Sequence, residues 1–226
     1  MKIKLYLIGT IIAGILLNCS AKADYQENFW WNKSWFAKST SGIEHIITDG
    51  YKVTFNFLTD RCVEDIHRDC YYNKLRSQLQ SKTGKRIGEP TEHRFAVMKE
   101  KSHGTPMKIW ELKPFGGDTN TVPTITINNN WINIKTSNDG SDYNIVTQEY
   151  YLPPGVWNNF HVKTIQSAND DGYVIVTMNG ETVFEWHGKT SYAHRYINQF
   201  WIGPYICCGN AGPNEPNHVV HYRNVH

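Results

Sequence analysis

Residues 173–186 read Tyr173-Val174-Ile175-Val176-Thr177-Met178-Asn179-Gly180-Glu181-Thr182-Val183-Phe184-Glu185-Trp186. Two runs rich in β-branched and aromatic residues flank Asn179-Gly180, the dipeptide that best tolerates the positive backbone angles of a two-residue hairpin turn. Alternation of side-chain character with a period of two suits strands with one face buried. The same pattern recurs along the chain. Residues 51–58 alternate in this way, and similar stretches lie at 93–99, 107–112, 124–127, 131–135, 145–151, 160–165, 199–206 and 219–222. Short strands at spacings of roughly ten residues, with turn sequences such as Asn138-Asp139-Gly140 between them, predict an all-β sandwich of antiparallel sheets.

Residues 63–79 do not fit that pattern. Apolar side chains at 63, 66, 70, 71, 75 and 79 suit a helix face. Two readings stay open: one short helix near residues 63–73 lying over the sandwich, or an irregular disulfide-held loop leading into a strand from Lys74.

Composition sets the class. Aromatic residues make up 13% of the 226 and charged residues 19%, which excludes a disordered tail or a coiled coil. Lys2 and Lys4 precede an uncharged, mostly apolar run over 5–17, about the length of a signal-peptide core and short for a bilayer span. Ala21-Lys22-Ala23 then supplies a small-x-small cleavage pattern. The expectation is a signal peptide over 1–23, cut after Ala23, and one domain over 24–226, secreted or periplasmic. Lipidation at Cys19 is the alternative, against which Asn18 just before it argues. Without the three leader lysines the chain carries 20 basic and 21 acidic residues, so electrostatics give no case for nucleic acid or an anionic membrane surface. A monomer with no membrane contact after leader cleavage is expected.

Export bears on the cysteines. With Cys19 removed, Cys62, Cys70, Cys207 and Cys208 remain, an even number in an oxidising compartment. Their spacing lacks a Cys-x-x-Cys metal signature, so disulfides are expected and no metal. Three connectivities are open. Adjacent Cys207 and Cys208 bond each other only with strain, so each is expected to reach the segment holding Cys62 and Cys70.

Common catalytic signatures are missing: no Gly-rich phosphate loop, His-Glu-x-x-His pair or Gly-x-Ser-x-Gly elbow occurs, and no cofactor is expected. Glu89 and Glu92 are three apart beside a Gly-Pro turn, which disfavours a retaining glycosidase's paired carboxylates. Three stretches stand out instead: Arg76-Ser77-Gln78-Leu79, Met107-Lys108-Ile109-Trp110-Glu111-Leu112, and Gln199-Phe200-Trp201-Ile202-Gly203-Pro204-Tyr205. Between the last two come Gly155-Val156-Trp157 before a strand, Asp171-Gly172, and Asn179-Gly180. In order and spacing this resembles the jelly-roll polysaccharide lyases of the heparin lyase I, glucuronan lyase and alginate lyase type. The resemblance runs from about Leu75 to Tyr205.

The resemblance implies a concanavalin-like jelly-roll β-sandwich of two curved antiparallel sheets, and β-elimination on an acidic polysaccharide. Arg76 matches the family's Arg, Gln78 stands where the family usually has Glu, and Tyr205 matches the catalytic Tyr. The family's Gln-x-His falls over 109–111, where this chain has neither Gln nor His. In such lyases an amide or Arg neutralises the uronate carboxylate, because the adjacent C5 proton is removable only when the developing charge is stabilised. His or Tyr removes that proton and Tyr protonates the leaving oxygen. Without the His, Tyr205 acts as both base and acid. Gln78, Glu111, Trp110 and Trp201 are then the substrate-binding candidates.

Structural roles compete with these. Arg76 also reads as half of an ion pair on a sheet face, and Tyr205 as packed aromatic core. Glu111 points opposite to Trp110 and Leu112 on a strand, toward solvent or a groove. His194, His218 and His221 are candidate replacements for the missing base, while His161, inside a strand pattern, reads as structural. Trp30, Trp31 and Trp35 cover a sheet edge or present a sugar platform. The leading expectation is a carbon–oxygen lyase. The alternatives are a non-catalytic carbohydrate-binding protein on the same sandwich and an envelope interaction protein.

Overall fold

The computed structural model describes residues 35–39, 46–57, 75–102, 104–114, 123–137, 145–190, 197–206 and 218–226. These form two seven-stranded antiparallel sheets and, among the described residues, no helix. The first sheet runs in the order β1 (Trp35–Ser39), β4 (Leu75–Arg86), β13 (Ile197–Ile206), β6 (Met107–Pro114), β7 (Thr124–Asn128), β8 (Trp131–Ser137), β9 (Ile145–Tyr151). The second runs β12 (Glu181–His187), β11 (Tyr173–Met178), β10 (Asn158–Ile165), β5 (Pro90–Lys99), β14 (His218–Arg223), β3 (Lys52–Phe57), β2 (Ile46–Asp49).

The all-β sandwich expected from the alternation is what forms. Asn179 and Gly180 adopt φ of 54° and 92°, the left-handed pair that a two-residue hairpin between β11 and β12 requires. Of the two readings for residues 63–79, the strand reading holds from Leu75 onward. Residues 63–73 lie outside the described residues, as do the leader, Cys62, Cys70, Cys207, Cys208, Trp30, Trp31, His194 and the turn at 138–140.

Between the sheets, Leu79, Ile109, Trp110, Phe200 and Ile202 of the first pack against Phe55, Phe95, Phe160 and Tyr222 of the second. Phe95 and Phe160 stack at 5.2 Å, and Phe55 meets Tyr222 edge-on at 5.4 Å. Burying each such ring stabilises the fold by roughly 1.5–3 kcal/mol. The residues of β4, β6 and β13 that point away from the core share one face of the first sheet.

His93 on β5 is enclosed in this packing. Its ring lies 4.1 Å from Phe200 and 5.9 Å from Trp110, and its Nε2 has no hydrogen-bond partner. Burial pushes its pKa down to about 4. The imidazole is thus held neutral in the fold, while the unfolded chain takes up a proton below its ordinary value near 6.5. Stability is complete above pH ~6.5 and falls as pH drops toward ~4, by up to about 3 kcal/mol. Urea midpoints at neutral pH and at mildly acidic pH should show that fall. His93→Phe should flatten it; an equal slope in the variant would assign the acid sensitivity elsewhere.

Candidate functional site

Strand register brings the separated motifs together. Tyr205 is the Cα partner of Arg76 on one side and of Lys108 on the other, and Trp201 is that of Gln80 and Glu111. Arg76, Gln78 and Gln80 on β4, Gln199, Trp201 and Tyr205 on β13, and Lys108, Glu111 and Lys113 on β6 accordingly occupy one outer face. Leu79, Ile202, Phe200, Trp110 and Leu112, on the same three strands, face the core.

Lys108 and Glu111 are three residues apart, which on a regular strand would put them on opposite faces. A β-bulge reconciles them. Lys108 pairs with Thr126 while Trp110 pairs with Ile125, leaving Ile109 as an extra residue. Ile109 and Trp110 both turn inward, and Lys108 and Glu111 both turn out. The bulge disturbs the ladder, and the buried Tyr222 hydroxyl, reaching from the opposite sheet, donates to the Ile109 carbonyl at 2.8 Å. A buried carbonyl without such a donor is costly, so Tyr222 holds the bulge in place.

Polar contacts lock the outer cluster. Lys108 Nζ donates to Glu111 Oε2 at 3.0 Å, and Gln78 Nε2 donates to Glu111 Oε1 at 3.1 Å. Gln78 Nε2 also lies 3.5 Å from the Gly203 carbonyl. The remaining Gln78 amide oxygen is buried with no hydrogen-bond partner. Gly203, at φ 110°, supplies the gap: a Cβ there would sit 2.3 Å from the Ser77 carbonyl and 2.9 Å from Gln78 Cα. With no side chain at 203, β4 and β13 close up and Gln78 reaches toward β6. Gln80 and Gln199 hydrogen-bond through their side chains alongside.

Cations face the aromatic rings. Arg76 Cζ lies 4.7 Å from the Tyr205 ring centroid and 5.8 Å from that of Trp201; Lys108 Nζ is 5.3 Å from Tyr205 and Lys113 Nζ 4.8 Å from Trp201. All are within cation–π range. Arg76 is only 4% exposed, Glu111 2% and Tyr205 8%. Charges so shielded from water act on a ligand more strongly than the same charges at the surface.

Of the residues singled out in the sequence, Arg76, Gln78, Glu111, Trp201 and Tyr205 converge. Trp110 does not: expected to line the cleft, it lies fully buried between the sheets because the bulge turns it inward. The expectation that Gln78 helps hold a carboxylate also changes, since its donor nitrogen is directed at Glu111. Of the histidines considered as a replacement base, the described ones, His218 and His221, lie on the other sheet, as does His161. His161 faces outward and bonds Glu92 at 3.2 Å, and His221 contacts Thr54 and Glu100 at 2.8 and 3.0 Å. His218 alternates with outward-facing Val219 and points inward. The residue that sequence reading missed is Lys108, whose outward direction depends on the bulge.

This architecture defines the class: the chain has the jelly-roll β-sandwich fold of polysaccharide lyases. The endo-β-1,4-glucuronan lyase of the fungus Trichoderma reesei superposes with a TM-score of 0.57 at 17% identity, over 91% of this chain and 90% of that one. Alginate lyase A1-II′, a member of polysaccharide lyase family 7, gives 0.66 at 10% identity over 85% and 93%. An alginate lyase from Pseudomonas aeruginosa gives 0.60 at 12% identity over 84% and 90%. No protein-family model matches the sequence, and no curated protein matches it at the sequence level.

Proposed function

We propose that this protein is a polysaccharide lyase that cleaves a uronate-bearing glycan by β-elimination on the outer face of the first sheet. The observation that carries the reading is Tyr205 flanked by the Arg76 guanidinium and the Lys108 ammonium, on a face shared with Gln78, Glu111 and Trp201. Alginate and glucuronan, the polymers named for the structural neighbours, are both chains of uronates. Arg76 and Lys108 take the substrate carboxylate and stabilise the charge that develops on it as the C5 proton leaves. Tyr205 moves that proton from C5 to the departing glycosidic oxygen, leaving a double bond in the uronate ring. Glu111, fixed by Gln78, orients Lys108, and Trp201, buried beneath the Arg76 and Lys113 cations, braces the cluster at the base of the substrate site. As part of the same proposal, residues 1–23 are removed on export and the four remaining cysteines pair.

The test is ultraviolet absorbance of the unsaturated uronate during incubation with alginate, glucuronan, pectate and heparin. A rise with one polymer supports the lyase and identifies its substrate class; a flat trace from folded protein overturns it. Arg76→Ala should weaken uronate-polymer turnover by on the order of 100-fold and leave binding of neutral glucans nearly unaltered. Equal losses for both would make Arg76 structural. A second reading, glycan binding without turnover, is favoured by one observation: among the described residues of this face there is no histidine.

A further inference from the structure

A second aromatic feature occupies the same outer face, at its far end. Trp131 opens β8 and Tyr151 closes β9; they are Cα partners whose rings meet edge-on at 5.6 Å. Both are about half exposed, at 50% and 53%. The other large exposed apolar residues among those described, Ile47, Tyr51 and Val156, lie on the second sheet or its connections. Alternation fixes the direction of the pair, because Ile132 and Ile134 fill the core while Trp131, Asn133 and Lys135 face outward. The turn that begins the strand is set by Asn129 in the left-handed region at φ 52°, and Leu152 N donates to the Asn130 carbonyl at 2.6 Å.

Between this pair and Tyr205 the face is polar and continuous. Tyr205, Lys108, Thr126 and Asn133 are successive Cα partners across β13, β6, β7 and β8. Asn133 Nδ2 donates to Glu149 at 3.4 Å, while its Oδ1 is buried without a partner. Three strand spacings separate Tyr205 from the strand of Trp131, roughly 14 Å. One sugar ring cannot bridge that distance, but an extended chain of several can.

We propose that Trp131 and Tyr151 form a sugar-stacking platform that holds a distal pyranose ring of the glycan engaged at Tyr205, so that the protein selects long chains over short ones. This inference rests on the reading of the outer face as the glycan surface. Exposed aromatic rings rimmed by hydrogen-bonding side chains match a pyranose, whose C–H face is apolar and whose edge carries hydroxyls. Glu149, whose carboxylate accepts from Asn133 Nδ2 at 3.4 Å on the exposed strand next to Trp131, is a polar group at that edge.

Titration calorimetry with long chains of alginate, glucuronan, pectate and heparin and with their disaccharides tests it, alongside the absorbance assay. Trp131→Ala should narrow the preference for long chains over the disaccharide about tenfold, with Tyr151→Ala acting in the same direction. Trp131→Phe, which keeps a ring, should retain most of the preference. An unchanged preference in Trp131→Ala, with the native protein releasing unsaturated product, overturns the platform and leaves the lyase reading intact. A reduced preference with no product from either protein supports the platform and overturns the lyase. No binding of any chain by the native protein overturns both.

Discussion

Gly203→Ala should destabilise the protein by about 3 kcal/mol or more, far beyond the usual effect of adding one methyl group. Two independent costs coincide at this position. The backbone sits at φ 110°, in a region that L-residues with a side chain rarely adopt, and the added Cβ would meet the Ser77 carbonyl at 2.3 Å. The two nearest atoms in the way belong to the backbone of β4, so no rotamer change relieves the contact. β4 and β13 would have to separate, which breaks their ladder and carries Gln78 away from Glu111. A urea titration should show a lower midpoint with an unchanged slope. A loss within ~0.5 kcal/mol, the range of ordinary surface changes, would contradict the close approach of these two strands.

The same strands explain which parts of the architecture could be read from sequence. β10 and β11 each have one face in the core and one nearer water, so alternation announces them. β4 is the longest strand among the described residues, at 12, yet its sequence Leu75-Arg76-Ser77-Gln78-Leu79-Gln80-Ser81 offers little alternation. Its outer face carries the site, and on its inner face Leu79 sits between Ser77 and Ser81. A site strand hides because the residues that serve chemistry displace the apolar pattern that would reveal it. Glu111 was legible as opposite to Trp110 and Leu112 because period two holds locally. Lys108 was not, because a bulge intervenes and its support comes from Tyr222, 113 residues further along the chain. Trp110 was misplaced for a related reason: an aromatic beside a carboxylate resembles a sugar-facing residue until the opposite sheet is present to cover it.

Tyr205→Phe is the substitution that separates chemistry from packing. The ring stays, and with it the positions of Arg76 and Lys108 over its faces, so the cation–π contacts that hold the cluster persist. Only the hydroxyl goes. If Tyr205 carries the proton from C5 to the leaving oxygen, turnover of the responsive polymer should fall by about 1,000-fold or more. Binding of that polymer should change little, because the carboxylate is held by Arg76 and Lys108. The expected signature is thus a collapse of kcat with KM nearly preserved. Lys108→Ala should differ: it removes a charge that engages the ground-state carboxylate as well as the developing anion, so KM rises while kcat falls. If Tyr205→Phe keeps full turnover and Lys108→Ala abolishes it, the proton passes through Lys108 and the role of Tyr205 is to hold that side chain in place.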